Sequence, residues 1–150
     1  MAVRLVVAIL ISAVSTNAMS ASEQFDSTGL IDIRNEATSR SSCYAVGVRL
    51  GVSTNRIYFS MEQSANQLKN QDAAWKRHKE AKEIYELKNR ASYWAKVLDK
   101  SASQNIPPSQ ISQYHEGRLK ALERVERAEY KDPWLAVRAW NWCEDAYQFP

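Results

Sequence analysis

The sequence predicts an all-α protein, a single four- or five-helix bundle with one long-range disulfide, which follows a cleaved signal peptide. The composition is the first observation behind this prediction, since 45% of the 150 residues are hydrophobic, 25% are charged, and only 4 are Gly and 4 are Pro. Such a composition is typical of compact helical domains and argues against disorder or a Gly-rich β architecture. The other two observations are apolar side chains that recur at three- and four-residue steps and an N-terminal export signal.

Residues 1–20 have the order of a secretory signal peptide. Arg4 supplies a positive charge, residues 5–14 are an almost uninterrupted apolar run, and the residues that follow are small and polar. The run has about half of the ~20 residues that span a bilayer, so we expect cleavage rather than a permanent anchor. The prediction is therefore a signal peptide at 1–20, a helical bundle domain at 21–150, and a periplasmic or secreted protein.

Cys43 and Cys143 are the two cysteines of the chain. Two thiols in an exported protein more often pair than remain free, and no C-x-x-C spacing indicates redox catalysis. We therefore expect one disulfide, closing a loop of ~100 residues and joining the first helix to the last.

The elements before residue 72 are predicted as follows. An arm with turn residues at 26–29 and alternating Ile31 and Ile33 precedes the bundle. A first helix covers residues 36–50 and ends at Gly51, because glycine is the usual residue just past a helix C-terminus. A second, shorter helix then begins at Ser53 or Thr54, either of which can cap it.

A long amphipathic helix is predicted from an N-cap at Asp72 to about Lys100. Its apolar arc consists of Ala74, Ala81, Ile84, Tyr85, Leu87, Ala91, Trp94, Ala95 and Leu98. Pro107 and Pro108 exclude helix at the residue before each of them, and Ser109 can cap the next helix.

The next helix is predicted over 111–130. Its apolar arc consists of Ile111, Tyr114, Leu119, Leu122 and Val125, with His115 inside the same arc. Asp132 followed by Pro133 gives a cap residue and a proline at the first helical position, which opens a last helix through about Phe149.

Motifs of known chemistry are absent from the sequence: it has no G-x-S-x-G, H-E-x-x-H, Gly-rich phosphate loop or C-x-x-C-H. No residue is therefore assigned to catalysis, a metal or a cofactor. A small hydrolase or lyase that uses His78 or His115 with a carboxylate stays open as an alternative. The formal net charge of +3 is too small to predict a nucleic-acid partner.

The last helix is rich in aromatic residues, with Trp134, Trp140 and Trp142 within nine residues. Trp140 and Tyr147 point away from the direction shared by Trp142 and Phe149. A single interface with a neighbouring helix therefore cannot bury both pairs of aromatic side chains. Either this helix is buried on about half of its circumference, or Trp140 and Tyr147 form an exposed patch that meets a partner.

A second aromatic set lies outside the apolar arc of the long helix. Trp75 and Tyr93 occur among lysines, of which Lys79 and Lys82 are the nearest to Trp75. Exposed rings between cations suit an acidic protein, an anionic glycan or lipid headgroups. The alternative, which the length of this helix favours, is that the short second helix covers the rings and the lysines extend past them into water.

These observations predict an exported, non-enzymatic interaction protein of the inhibitor or immunity type, or an envelope accessory protein, that binds a protein partner. The first alternative is a protein that binds anionic envelope polymers or lipid surfaces. A homodimer is compatible with the pattern. The predicted partner-binding residues are Trp140, Tyr147, Trp134, Trp75, Tyr93, Lys79 and Lys82.

Overall fold

The structure is a computed structural model that describes residues 23–149. Within this range the fold is all-helical, with an isolated bridge between Phe25 and Asp32 as its one strand-like pairing. The helices are α1 (Glu36–Asn66), α2 (Gln71–Lys100), α3 (Ala102–Asn105), α4 (Ile111–Lys131) and α5 (Pro133–Tyr147), with a 3₁₀ turn at Pro108–Gln110. The predicted signal peptide at 1–20 and its cleavage point lie outside the described residues.

Helix α1 is one continuous helix of 31 residues, so the predicted break at Gly51 is wrong. It begins with a capping box, in which the Asn35 side chain accepts from the Thr38 amide at 3.0 Å and the Thr38 hydroxyl accepts from the Asn35 amide at 3.1 Å. Thr54 does not cap a new helix but donates to the Gly51 carbonyl at 3.2 Å. Packing against the neighbouring helices outweighs the helix-ending preference of one glycine.

The other long helices all pack around α1. Helix α2 returns antiparallel to it after a short loop. Helix α4 runs parallel to α1, since Asn35 contacts Gln113 near both N-termini and Arg49 contacts Glu129 about four turns later. The central position of α1 explains why it buries more side chains than any other helix of residues 23–149.

The predicted disulfide is confirmed. Cys43 and Cys143 are bonded, with their Cα atoms 5.8 Å apart, and both are fully buried in the core. The bond joins the first turns of α1 to the last turns of α5, as the sequence predicts.

The predicted cap residues agree with the structure at one of three helix starts. Asp132 caps α5 by accepting from the Trp134 amide, with Pro133 at the first helical position, as predicted. Helix α2 begins one residue before the predicted cap, with Asn70 instead of Asp72 as the N-cap. The predicted cap at Ser109 is wrong, because α4 begins after Gln110, which makes no side-chain capping bond.

The arm before α1 is ordered and contributes to the core. Its turn includes Gly29 at φ 75°, a conformation that favours glycine. Leu30 and Ile31 are buried in the main core, and Arg124 of α4 donates to the Leu30 carbonyl at 3.2 Å. The arm is thereby fixed against α1 and α4.

Candidate protein-binding surface

Trp140 is fully buried and is the largest fully buried side chain among residues 23–149. The predicted exposed patch is therefore wrong, and the buried alternative holds for this residue. The indole lies 5.6 Å from the Phe149 ring and donates through Nε1 to Glu144 at 2.8 Å. The side of α5 that contains Trp140 and Cys143 faces α1, which makes Trp140 a core residue rather than a partner-binding one.

Tyr147, the second residue of that patch, is half-buried. Its hydroxyl is 3.1 Å from the Ser39 hydroxyl, and the Arg40 guanidinium lies 5.3 Å from its ring centre. Burial raises the pKa of Tyr147 to about 12. These contacts orient Tyr147 towards the start of α1, and its role in partner binding stays a prediction.

Trp134 is the most exposed aromatic residue of α5, at 41%. It lines a groove of about 440 Å³, which we call the Arg56 groove. The lining residues come from three helices: Arg56, Ile57, Ser60, Met61 and Ser64 of α1, Arg77 of α2, and Pro133 and Trp134 of α5. The groove forms where α5 begins, because the turn at Asp132 places Trp134 beside the C-terminal half of α1.

A second groove of about 360 Å³ adjoins the first and shares Arg56 with it. It is lined by Arg49, Val52 and Arg56 of α1 and by Glu126, Glu129 and Tyr130 of α4. Tyr130 is 82% exposed, the highest value among the large hydrophobic side chains of residues 23–149. The two grooves with Tyr130 and Trp134 form one continuous region, the Arg56 surface.

Arg56 is held in place by the C-terminal end of α4. Its Nη1 donates to the backbone carbonyls of Glu129 and Tyr130, the second at 3.3 Å. A cation at this end of a helix also interacts favourably with the helix dipole. The guanidinium is therefore positioned before any ligand arrives.

The carboxylate of Glu129, the residue whose carbonyl binds Arg56, is buried beneath the second groove. It accepts from Arg49 Nη2 at 2.5 Å and from the Ser53 hydroxyl at 2.7 Å. Because both of its oxygens have partners on α1, Glu129 fixes the relative positions of α1 and α4 at the second groove.

The outer face of α2 forms a separate aromatic region. Trp75 and Tyr93 are 73% and 61% exposed, so the favoured interpretation that another helix covers them is wrong. They lie 18 residues apart, which is five turns, or roughly 27 Å, on one side of the helix. Lys79 and Lys82 lie exposed between them, and we call this stripe the α2 face.

The two histidines occupy different surroundings. His78 Nδ1 lies 2.7 Å from a carboxylate oxygen of Glu62, which links α2 to α1 near the end of their hairpin. His115 is exposed rather than buried, and Leu119 of the same predicted arc is 67% exposed. Residues 23–149 contain no group of three His, Cys, Asp or Glu side chains arranged to hold a metal ion.

Three residues of the Arg56 surface are not among those predicted from the sequence: Arg56, Glu129 and Tyr130. Arg49, Ser53 and Arg56 follow the i, i+4, i+7 spacing of one helical face, and this spacing was the available signal. The predicted break at Gly51 divided it between two helices. Tyr130 had no comparable signal, since its exposure depends on where α5 turns away.

In the described part of the chain, no helix has the length and apolar character needed to cross a membrane. No protein-family model, curated protein or solved structure matches this chain.

Proposed function

We propose that this chain is an exported, non-enzymatic protein of the inhibitor or immunity type, or an envelope accessory protein, that binds a protein partner through the Arg56 surface. The observation that supports this most directly is the combination of a fixed Arg56 with the exposed rings of Tyr130 and Trp134 around two adjoining grooves. Arg, Tyr and Trp are the residues that most often dominate binding energy at protein interfaces.

The rigidity of the surface also supports binding. Its residues lie on three helices, and the Cys43–Cys143 disulfide ties α5 to α1. A surface that is ordered before binding loses little conformational entropy when a partner arrives. The disulfide is compatible with an oxidising environment outside the cytoplasm, as a periplasmic or secreted protein requires.

Partner capture with two matched double variants tests this proposal. Tyr130→Ala with Trp134→Ala removes the exposed rings of the Arg56 surface, and Trp75→Ala with Tyr93→Ala removes the same number of rings from the α2 face. Tagged mature protein would be incubated with the exported fraction of its host, and the retained proteins identified by mass spectrometry. We expect the first variant to lose a stoichiometric partner and the second to retain it.

The Trp75→Ala, Tyr93→Ala variant should melt within a few degrees of the wild type, since truncating exposed side chains changes stability by about 0.5 kcal/mol or less. Trp134 is 41% exposed, so the other variant also loses partly buried contacts, and circular dichroism must show that it is folded at the temperature of the capture. Retention of the same partner by the first variant would contradict the proposed site.

The α2 face supports a second candidate function, the binding of an anionic polymer or lipid surface. Its rings are exposed between lysines, which favours contact with anions in water. Sedimentation with vesicles that contain phosphatidylglycerol tests it at low and at half-molar salt. Loss of binding in the Trp75→Ala, Tyr93→Ala variant and in high salt would support this function, whereas an unchanged bound fraction in both would contradict it.

A further inference from the structure

Arg56 differs from most arginines of residues 23–149 in having no carboxylate partner. Within that range Arg127 shares this property, and the other arginines each pair with an Asp or Glu. Arg127 is exposed and lines neither groove of the Arg56 surface. Arg56 is thus the one arginine of the described chain that is fixed in a groove and lacks an anion.

The hydrogen bonds of Arg56 leave one edge of its guanidinium unused. Nη1 is occupied by the two carbonyls at the end of α4, and no partner for Nε or Nη2 exists among residues 23–149. The Nε–Nη2 edge is one of the two edges at which arginine binds a carboxylate through parallel hydrogen bonds. Its orientation is already set by the bonds that Nη1 makes.

The lining of the Arg56 groove matches a ligand that is acidic and partly apolar. Arg77 supplies a second cation, its nearest carboxylate being the partly exposed Glu80 at 3.9 Å, and no Asp or Glu lines the groove. Ser60 and Ser64 supply hydroxyls, and Met61 and Trp134 supply apolar surface. A basic groove with these walls favours a carboxylate beside an aliphatic or aromatic side chain.

We infer that the Arg56 groove binds an acidic segment of a protein partner, with a Glu or Asp carboxylate on the Nε–Nη2 edge of Arg56 and a neighbouring apolar side chain against Met61 and Trp134. This inference rests on the proposed function and adds the chemical class of the bound segment. The volume of about 440 Å³ suits a few side chains rather than a whole folded domain.

The test uses two synthetic hexapeptides that differ only in charge. Acetyl-Glu-Leu-Glu-Leu-Glu-Leu-amide is the probe, and the same peptide with Gln in place of Glu is its control. Each is titrated into the ¹⁵N-labelled full mature protein, and the signals of Arg56 Nε and Trp134 Nε1 are followed by NMR. We expect the Glu peptide to shift both signals and the Gln peptide to shift neither.

Two matched variants distinguish the effect of the Arg56 guanidinium on peptide binding from the effect of the protein's net charge. Arg56→Gln and Arg127→Gln each remove one positive charge, but only Arg56→Gln removes the guanidinium that lies in the groove. We expect Arg56→Gln to weaken binding of the Glu peptide about tenfold, the loss typical of a charge-assisted bidentate contact, and Arg127→Gln to change it less than twofold. Should Arg56→Gln fail to fold, Arg56→Lys replaces it, because lysine keeps the charge but cannot form two parallel hydrogen bonds to a carboxylate; binding of the Glu peptide should again weaken.

Equal binding of the two peptides, equal weakening by the two variants, or no shift with either peptide would overturn the inference. Shifts of the same signals with phosphatidylglycerol vesicles but not with the Glu peptide would also overturn it, in favour of a lipid ligand. Partner capture distinguishes this failure from that of the proposed function. If capture still depends on Tyr130 and Trp134 while the Glu peptide does not bind, the surface is correct and the acidic class is wrong.

Discussion

Replacement of Gly47 by Ala should destabilise the bundle, although alanine is the better helix former. A Cβ atom at Gly47 would lie 2.7 Å from the Ala95 Cβ, 2.9 Å from the Ala91 carbonyl oxygen and 2.9 Å from Cζ3 of Trp140. The Ala91 oxygen is part of the α2 backbone and the Ala95 Cβ is bonded to it. Neither atom can move aside unless the helix itself moves. The methyl group therefore requires α1 and α2 to separate.

The magnitude follows from two opposing contributions. Alanine in place of glycine inside a helix stabilises it by about 1 kcal/mol, and overpacking of a close-packed core costs about 1–3 kcal/mol. With three contacts below 3.0 Å the larger cost applies, which gives a net loss of about 2 kcal/mol for Gly47→Ala. Guanidinium unfolding followed by circular dichroism at 222 nm, with the disulfide intact, measures this loss.

Gly51, one turn later in the same helix, provides the control. A Cβ there meets only the Lys88 side chain, at 3.9 Å, so Gly51→Ala keeps the propensity gain without the clash and should stabilise the protein by about 1 kcal/mol. The two variants should therefore differ by about 3 kcal/mol. A Gly47→Ala protein as stable as the wild type would refute the close approach of α1 and α2.

Three further predictions concern the core and its polar contacts. Glu129→Ala leaves Arg49 and Ser53 without their partner and should cost about 3 kcal/mol in unfolding free energy, the low end for a broken buried pair because Arg49 is 30% exposed. Glu126→Ala, at an exposed position, should change it little. Because the folded pKa of Tyr147 is raised to about 12, its stabilising contribution is complete below pH 10 and is lost as the pH rises towards 12. Urea midpoints between pH 9 and 11.5 should consequently fall more steeply for the wild type than for Tyr147→Phe, and parallel curves would contradict this assignment. Cys43→Ala with Cys143→Ala should lower the unfolding free energy by up to about 4–5 kcal/mol, the value for a loop of 100 residues, and the reduced wild type should behave like this variant.

The parts of the fold that the sequence predicts correctly depend on local chemistry. The cap at Asp132, the proline after it and the extent of α2 follow from neighbouring residues. The disulfide follows from the presence of two cysteines together with the predicted export signal. The break at Gly51 was predicted wrongly because a glycine can end a helix or lie inside one. Which of these occurs depends on α2, whose residues 91 and 95 leave no room for a larger side chain at position 47.

The candidate surface was less predictable, because helical periodicity gives the direction of a side chain but not what lies opposite it. Trp140 was predicted as a partner-binding residue, but it faces α1 and is buried. Leu119 was predicted to lie on the apolar face of its helix, but it faces no other helix and is exposed. Arg56 becomes distinctive only when the end of α4, more than 70 residues later, supplies the carbonyls that hold it.

The disulfide between α1 and α5 has a consequence for maturation. Cys43 and Cys143 are 100 residues apart, so the Cys43 thiol has no partner within the chain until the last helix has been synthesised. With two cysteines in the chain, only one intramolecular pairing exists, and an oxidase is sufficient to form it without an isomerase to correct errors. A covalent dimer between two incompletely folded chains is a competing product, and docking of α5 disfavours it because docking brings the two sulfurs of one chain together.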